Sequence, residues 1–127
     1  MNLLIDTHIF IWLQIALKNI SPQKLQILKD TRNTLFLSLV SIWEMQIKIQ
    51  NGKFSFPKSL PDIINEQHKI NNLQIQPITE DQIYELGNLP FHHKDPFDRL
   101  LIAQAIVGNY TLVTDDPKFS AYSVNLL

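Results

Sequence analysis

Short apolar runs alternate with longer helical segments along this chain, and this alternation restricts the possible folds more than any other feature. Strands that alternate with helices favour an α/β domain with a mostly parallel central sheet. The strand-like runs cover residues 3–6, 34–38, 73–77, 111–114 and, more weakly, 123–126.

The segments between these runs carry recognisable helix starts. Ser21 is followed by Pro22, an N-cap and first-turn pair, and Thr79 and Gln82 have the spacing of a capping box. The segment PFDRLLIAQAIV, residues 96–107, is apolar nearly all round and predicts a buried helix. No repeat or linker is visible, so we expect one domain over residues 1–127.

Composition excludes several classes of protein. With 45% hydrophobic residues the chain can build a core, and without cysteine it has neither disulfides nor a thiolate metal site. The net charge of -1 is not typical of a nucleic-acid binder, so a nucleic-acid function must come from a local site. A charged Asp6 early in the chain and the lack of a basic leader favour a cytoplasmic protein without a membrane segment.

Four carboxylates occupy positions that a parallel sheet would bring together. Asp6 and Asp116 follow two strand-like runs, Asp98 opens the buried helix, and Glu44 lies early in the helix after the second run. In open α/β sheets, ligands bind outside the carboxyl ends of the strands. Each acid also has a simpler explanation, because Asp is a good N-cap and Glu44 can pair with Lys48 one turn later.

A cluster of these carboxylates requires compensation of its charge. Two like charges 4 Å apart repel by about 4 kcal/mol at an effective dielectric constant of 20. Protonation, an arginine or a divalent cation can offset this, and a set of oxygen ligands suits Mg²⁺ or Mn²⁺. Arg99 follows Asp98 directly but points about 100° away on a helix. A bound Mg²⁺ would activate water for hydrolysis of a phosphodiester.

The pieces LLIDTH, LSLVSIWEMQIK, HHKDPFDRLLIAQA and LVTDDPKF resemble, in order, the motifs of the PIN-domain family, within it the VapC-like ribonuclease toxins. The resemblance implies a three-layer α/β/α sandwich and an Mg²⁺- or Mn²⁺-dependent endoribonuclease, the toxin of a type II toxin-antitoxin system. It also implies an RNA substrate, which in this family is often tRNA, a cognate antitoxin and a homodimer. The family's four acids, catalytic and metal-binding, fall on Asp6, Glu44, Asp98 and Asp116.

Further residues near these motifs are candidates for supporting roles. The resemblance suggests that three hydroxyls orient carboxylates or water, although capping explains them equally well: Thr7, Ser38 and Thr114. Asp95 and Asp115 are additional acids beside the four. Cations close to the motifs are candidate RNA contacts, namely Lys48, Lys53, Lys94, Arg99 and Lys118.

The apolar stretch HIFIWLQIAL after Asp6 is either core or, where exposed, a groove for an antitoxin helix. Two other functions remain open from the residues. The chain could be a non-catalytic PIN-like binding module, in which the acids only cap helices. It could also be a metal-dependent nuclease that acts on DNA or a small phosphoester.

Overall fold

Four parallel strands form the centre of the fold in the computed structural model, which describes residues 1–127. Their order in the sheet is β3-β2-β1-β4, and every neighbouring pair is parallel. The strands are β1 Asn2–Ile5, β2 Thr34–Ser38, β3 Gln74–Gln76 and β4 Thr111–Val113. The prediction of a mostly parallel α/β sheet is therefore confirmed.

The prediction of a fifth strand at residues 123–126 is wrong. This segment contacts β4 through a single bridge between Leu112 and Leu126, supported by hydrogen bonds from Leu112 N to Asn125 O and from Leu127 N to Leu112 O. After the 3-10 turn Pro117–Ala121 the chain still bends at residues 122–124, where Val124 N donates to Tyr122 O, so the segment meets β4 only from Asn125 onward.

Six helices connect and cover the strands, and the helix starts predicted at Ser21 and Thr79 are confirmed. Ser21, Ser59 and Thr79 each accept a hydrogen bond from the first turn of their helix, and Thr79 forms the full capping box with Gln82. The helices are α1 Thr7–Ile15, α2 Pro22–Lys29, α3 Leu39–Gln50, α4 Leu60–Asn71, α5 Glu80–Glu85 and α6 Pro96–Gly108.

The two faces of the sheet are covered by different helices, because side chains alternate along a strand. Leu3 and Ile5 pack in one buried cluster with residues of α1, α2 and α4. Leu4 lies in a second cluster with Leu101, Ile102 and neighbouring residues of α6. The arrangement is the expected three-layer α/β/α sandwich.

The carboxyl edge of the sheet also receives the beginning of α6. This helix runs into β4 through Asn109, a left-handed residue that ends it, so its N-terminus lies at the opposite edge from the start of β4. Asp98 in the first turn of α6 is thereby brought to the edge at which β1 and β4 end. None of the helices combines the length and apolar character that a membrane crossing requires.

Candidate active site at the carboxyl edge of the sheet

Asp6 links the end of β1 to the end of β4. Its backbone N–H donates to Val113 O, and its Oδ1 accepts from Ile9 N at 2.8 Å, so it caps α1 as well. The Thr114 hydroxyl donates to its second oxygen, Oδ2, and accepts from Asp116 N at 3.0 Å. Burial raises the pKa of Asp6, while the hydrogen bonds from Thr114 and Ile9 oppose that rise.

Glu44 is buried on α3 and is fixed at both oxygens. The Thr7 hydroxyl donates to Oε1 at 2.8 Å, and Lys48 Nζ lies 2.9 Å from Oε2. Since a hydroxyl has one proton, Thr7 accepts from the Ser41 hydroxyl 3.0 Å away. The predicted ion pair between Glu44 and Lys48 exists, but the Glu44 carboxylate is buried and does not lie on a solvated helix face.

The pKa of Asp98 is affected by the charges of several neighbouring carboxylates. Burial, and then the charges of Asp95, Glu44, Asp116 and Asp6, raise its pKa to about 7. At neutral pH about half of the Asp98 carboxyl groups would carry a proton in the absence of a compensating cation. The acids from four segments of the chain therefore share one electrostatic environment.

The loop after β4 supplies two further carboxylates. Asp116 Oδ1 accepts from Lys118 N at 2.9 Å and caps a short 3-10 turn, Pro117–Ala121. Asp115 pairs with Lys24 of α2, whose Nζ also donates to Thr114 O at 2.9 Å. A cleft of about 190 Å³ opens between this loop and α1, and it is lined by Asp6, His8, Trp12, Asp115 and Asp116.

The side chains do not form a closed ligand cage as they stand. No three histidine or acidic side chains are close enough together to coordinate a single ion. The donor chemistry nonetheless fits a hard cation, because all four acids offer carboxylate oxygens. One of these oxygens, Glu44 Oε2, is paired with Lys48 Nζ.

Comparison with known families identifies the fold. The family model described as PIN domain matches residues 3–125. This chain belongs to the PIN domain family. No sequence among the curated proteins matches it significantly.

Solved structures of toxin-antitoxin complexes have the same fold as this PIN domain. A chain of VapBC2 from Rickettsia felis, bound to a DNA fragment from its promoter, superimposes with a TM-score of 0.74 at 20% identity, covering 100% of this chain and 98% of that one. A chain of a toxin-antitoxin complex from Klebsiella pneumoniae has a TM-score of 0.61 at 19% identity, covering 98% of this chain and 94% of that one. A chain of FitAcB from Neisseria gonorrhoeae has a TM-score of 0.60 at 16% identity, covering 98% of this chain and 96% of that one.

The hydroxyls predicted to support the PIN domain site divide into two kinds. Thr7 and Thr114 donate directly to Glu44 and Asp6, respectively. Ser38 instead accepts from Val40 N at 2.9 Å and caps α3. Asp95 likewise caps α6, accepting from Phe97 N and Asp98 N, and acts on Asp98 through its charge.

One predicted RNA contact needs correction. The Arg99 side chain is buried, and its guanidinium donates to Pro90 O at 2.8 Å and to the Tyr122 hydroxyl at 3.2 Å. It is therefore a structural clamp inside the domain and is not available to a phosphate. Lys94 is exposed, as are Lys53 and Lys118, while Lys48 is half-buried against Glu44.

Several contacts at the site were not predicted from the sequence. Lys24 contacts a loop 90 residues away, and no local pattern in α2 distinguishes it from a solvated lysine. Ser41 is buried behind Thr7, which only the packing of α1 against α3 reveals. His93 lies in the motif HHKDPFDR, but its contact with Asp98 depends on how the preceding loop folds back.

Proposed function

We propose that this PIN domain is an Mg²⁺- or Mn²⁺-dependent endoribonuclease and the toxin of a type II toxin-antitoxin pair. The observation that supports the proposal best is the convergence of Asp6, Glu44, Asp98 and Asp116 at one edge of the sheet. Caps and isolated ion pairs do not require four acids to share one electrostatic environment, and such an arrangement costs free energy unless a cation offsets it.

Asp6, Glu44, Asp98 and Asp116 would hold the cation. When bound, it supplies a water of lowered pKa and neutralises charge on the departing oxygen of a phosphodiester. The raised pKa of Asp98 is consistent with this role, because a positive charge at the site would return that carboxyl group to its ionised form.

The remaining residues of the site prepare these carboxylates. Thr114 orients Asp6 and also fixes the backbone of Asp116, so one hydroxyl couples two of the acids. Thr7 and Ser41 orient Glu44, and Lys48 offsets its charge. Lys24 holds the loop after β4 through Asp115 and the Thr114 carbonyl.

RNA would approach the open cleft beside α1. Trp12 and His8 line this cleft with Asp6, and aromatic rings are suitable surfaces for unstacked bases. Lys94 and Lys118 are exposed near Asp98 and Asp116 in sequence, and we propose them as phosphate contacts. The RNA class, including tRNA, stays a prediction from the family resemblance.

The toxin role is supported by solved structures that share the fold, among them VapBC2 from Rickettsia felis and a toxin-antitoxin complex from Klebsiella pneumoniae. We propose that the antitoxin binds the apolar groove of about 210 Å³ between α1, α2 and α4, whose lining includes Phe10, Leu13 and Leu17. Phe10 and Ile9 belong to the core, whereas Leu17 is about half exposed, so HIFIWLQIAL serves both core and surface. The homodimer stays a prediction that light scattering of the purified protein can test.

The test is cleavage of RNA by the purified protein, with and without Mg²⁺ or Mn²⁺, in parallel with single-stranded and duplex DNA. We expect metal-dependent cleavage of RNA, and a loss of about 100-fold or more in Asp6→Asn and Asp98→Asn because each removes the negative charge of a proposed metal ligand. Asp81→Asn, which changes an exposed acid of α5, is the matched control and should retain full activity.

Two outcomes would contradict the proposal. Cleavage of DNA but not RNA would assign the metal chemistry to another substrate. Absence of any cleavage, together with metal binding that is the same in the parent and both Asn variants, would favour a binding module.

A further inference from the structure

The ring of His93 is packed against Asp98 at the border of the site. Its Nε2 lies 3.5 Å from Asp98 Oδ2, and its Nδ1 lies 3.1 Å from the hydroxyl of Tyr122. Nε2 is fully buried and has no hydrogen-bond partner in the present geometry. A buried N–H without an acceptor is unfavourable, so it matters which ring nitrogen of His93 carries the proton.

The contacts of Tyr122 decide which nitrogen carries the proton. Its hydroxyl lies 3.2 Å from Arg99 Nη1 and 3.3 Å from His93 N, and both of these groups are donors only. A phenol accepts with two lone pairs and donates one proton. The Tyr122 proton must therefore go to His93 Nδ1, which leaves the proton of the neutral imidazole on Nε2, the nitrogen beside Asp98.

The guanidinium at the base of this network is fixed in place. Arg99 donates to Pro90 O at 2.8 Å and to Leu89 O at 3.4 Å, and its charged carbon lies 4.2 Å from the centre of the Phe91 ring. Arg99 directly follows Asp98 in the sequence, but its guanidinium is connected to the Asp98 carboxylate only through Tyr122 and His93.

We propose that His93 is a positioning residue that donates its Nε2 proton to Asp98 Oδ2 and fixes the orientation of that carboxylate. The 3.5 Å separation between His93 Nε2 and Asp98 Oδ2 is longer than an ordinary hydrogen bond, so the proposed bond requires a small movement of one of the two side chains. Asp98 Oδ2 is then held by His93, and Asp98 Oδ1 stays free to contact a bound metal ion. Only the consequence for catalysis rests on the proposed nuclease function.

The tautomer can be measured without metal or RNA. Nitrogen-15 chemical shifts of the imidazoles, recorded at about pH 8.5, roughly two units above the ordinary pKa of histidine, distinguish a protonated Nε2 from a protonated Nδ1. His68 is an internal reference of the opposite kind, because its Nδ1 lies 2.9 Å from Leu73 O, a carbonyl that can only accept. We expect a protonated Nε2 in His93 and a protonated Nδ1 in His68.

The Asp98→Asn variant then shows whether that proton faces Asp98. We expect the Nε2 proton resonance of His93 to move in this variant while the His68 resonances stay in place. A His93 protonated at Nδ1, or a Nε2 resonance that is the same in parent and variant, overturns the proposal.

Kinetics of the metal-loaded enzyme provide the second readout. His93→Met approximately keeps the side-chain volume but removes the hydrogen-bond donor, whereas His93→Gln offers an amide N–H near the position of Nε2. We expect kcat to fall by about 10- to 100-fold in the Met variant with little change in KM, and the Gln variant to recover most of the loss.

His92→Met is the matched control, since His92 is exposed and also packs against the Tyr122 ring, at 4.9 Å, without reaching Asp98. Equal activity of His93→Met and the parent, or no recovery in the Gln variant, would contradict a positioning role. If the parent itself cleaves no RNA, the nuclease proposal fails, while the nitrogen shifts still decide the role of His93 toward Asp98.

Discussion

At the scale of the residue, Asp98 combines burial with the repulsion of four neighbouring carboxylates. Its pKa of about 7, against an ordinary value of 3.8, means that the metal-free fold binds this proton more tightly than the unfolded chain does. The contribution of Asp98 to stability is therefore fully present below pH 3.8 and is lost as the pH rises through about 7. The raised pKa of Asp6 acts in the same direction.

We predict that the metal-free protein has a lower Tm at about pH 8 than at about pH 6, and that Asp98→Asn reduces this difference. The variant should be more stable than the parent at the higher pH, because it removes a charge that the fold disfavours. Thermal unfolding in a chelating buffer measures both values. An Asp98→Asn variant whose Tm depends on pH as steeply as that of the parent would contradict the prediction.

At the scale of the element, Asp95 at the start of α6 has two effects, a helix cap and a charge, that substitutions can distinguish. Asp95 accepts two backbone hydrogen bonds there and also raises the pKa of Asp98. A cap needs a side-chain oxygen, whereas the electrostatic effect needs the charge. Substitution by Asn keeps the first and removes the second.

We predict that Asp95→Ala lowers the free energy of unfolding by about 1 kcal/mol and that Asp95→Asn lowers it by much less. Both variants should shift the pKa of Asp98 downward, since both remove a like charge. Urea denaturation gives the stabilities, and carbon-13 shifts of the carboxyl groups give the pKa. Equal destabilisation by Ala and Asn would show that the side-chain oxygen does not cap the helix.

Elements were predictable from the sequence where their signals are local. Apolar runs bounded by polar residues identified the four strands, and capping residues such as Ser21 and Thr79 identified helix starts. The exception is residues 123–126, which look like a strand but bend after the preceding 3-10 turn and reach β4 at a single bridge. The path of the chain out of that turn is not visible in the apolar pattern of the segment.

The candidate site was predictable in its positions but not in its contacts. Asp6 and Asp116 follow strands, so the rule for parallel sheets was sufficient to expect them at one edge. The partner of Glu44, Thr7, lies 37 residues away, and Lys24 reaches a loop 90 residues away. The burial of Arg99 depends on the loop that folds over it, which is why its prediction as an RNA contact failed.

At the scale of the whole molecule, the sheet order explains why the acids converge. β1 and β4 are neighbours although they are more than 100 residues apart, so Asp6 and the loop of Asp116 meet through Thr114. Helices α3 and α6, which contact each other, add Glu44 and Asp98. Each segment that resembles one of the family's motifs thus contributes an acid near the same edge of the sheet.

The central claim is that these four acids form one divalent-metal site, and calorimetric titration of the purified protein with Mn²⁺ or Mg²⁺ tests it most directly. We predict millimolar or tighter binding that weakens about tenfold for each pH unit below 7 as the Asp98 proton competes. Binding should weaken by about 10- to 100-fold or more in Asp6→Asn, Glu44→Gln, Asp98→Asn and Asp116→Asn but not in Asp81→Asn. Binding that is absent in the parent, or unchanged in the four variants, would contradict the account.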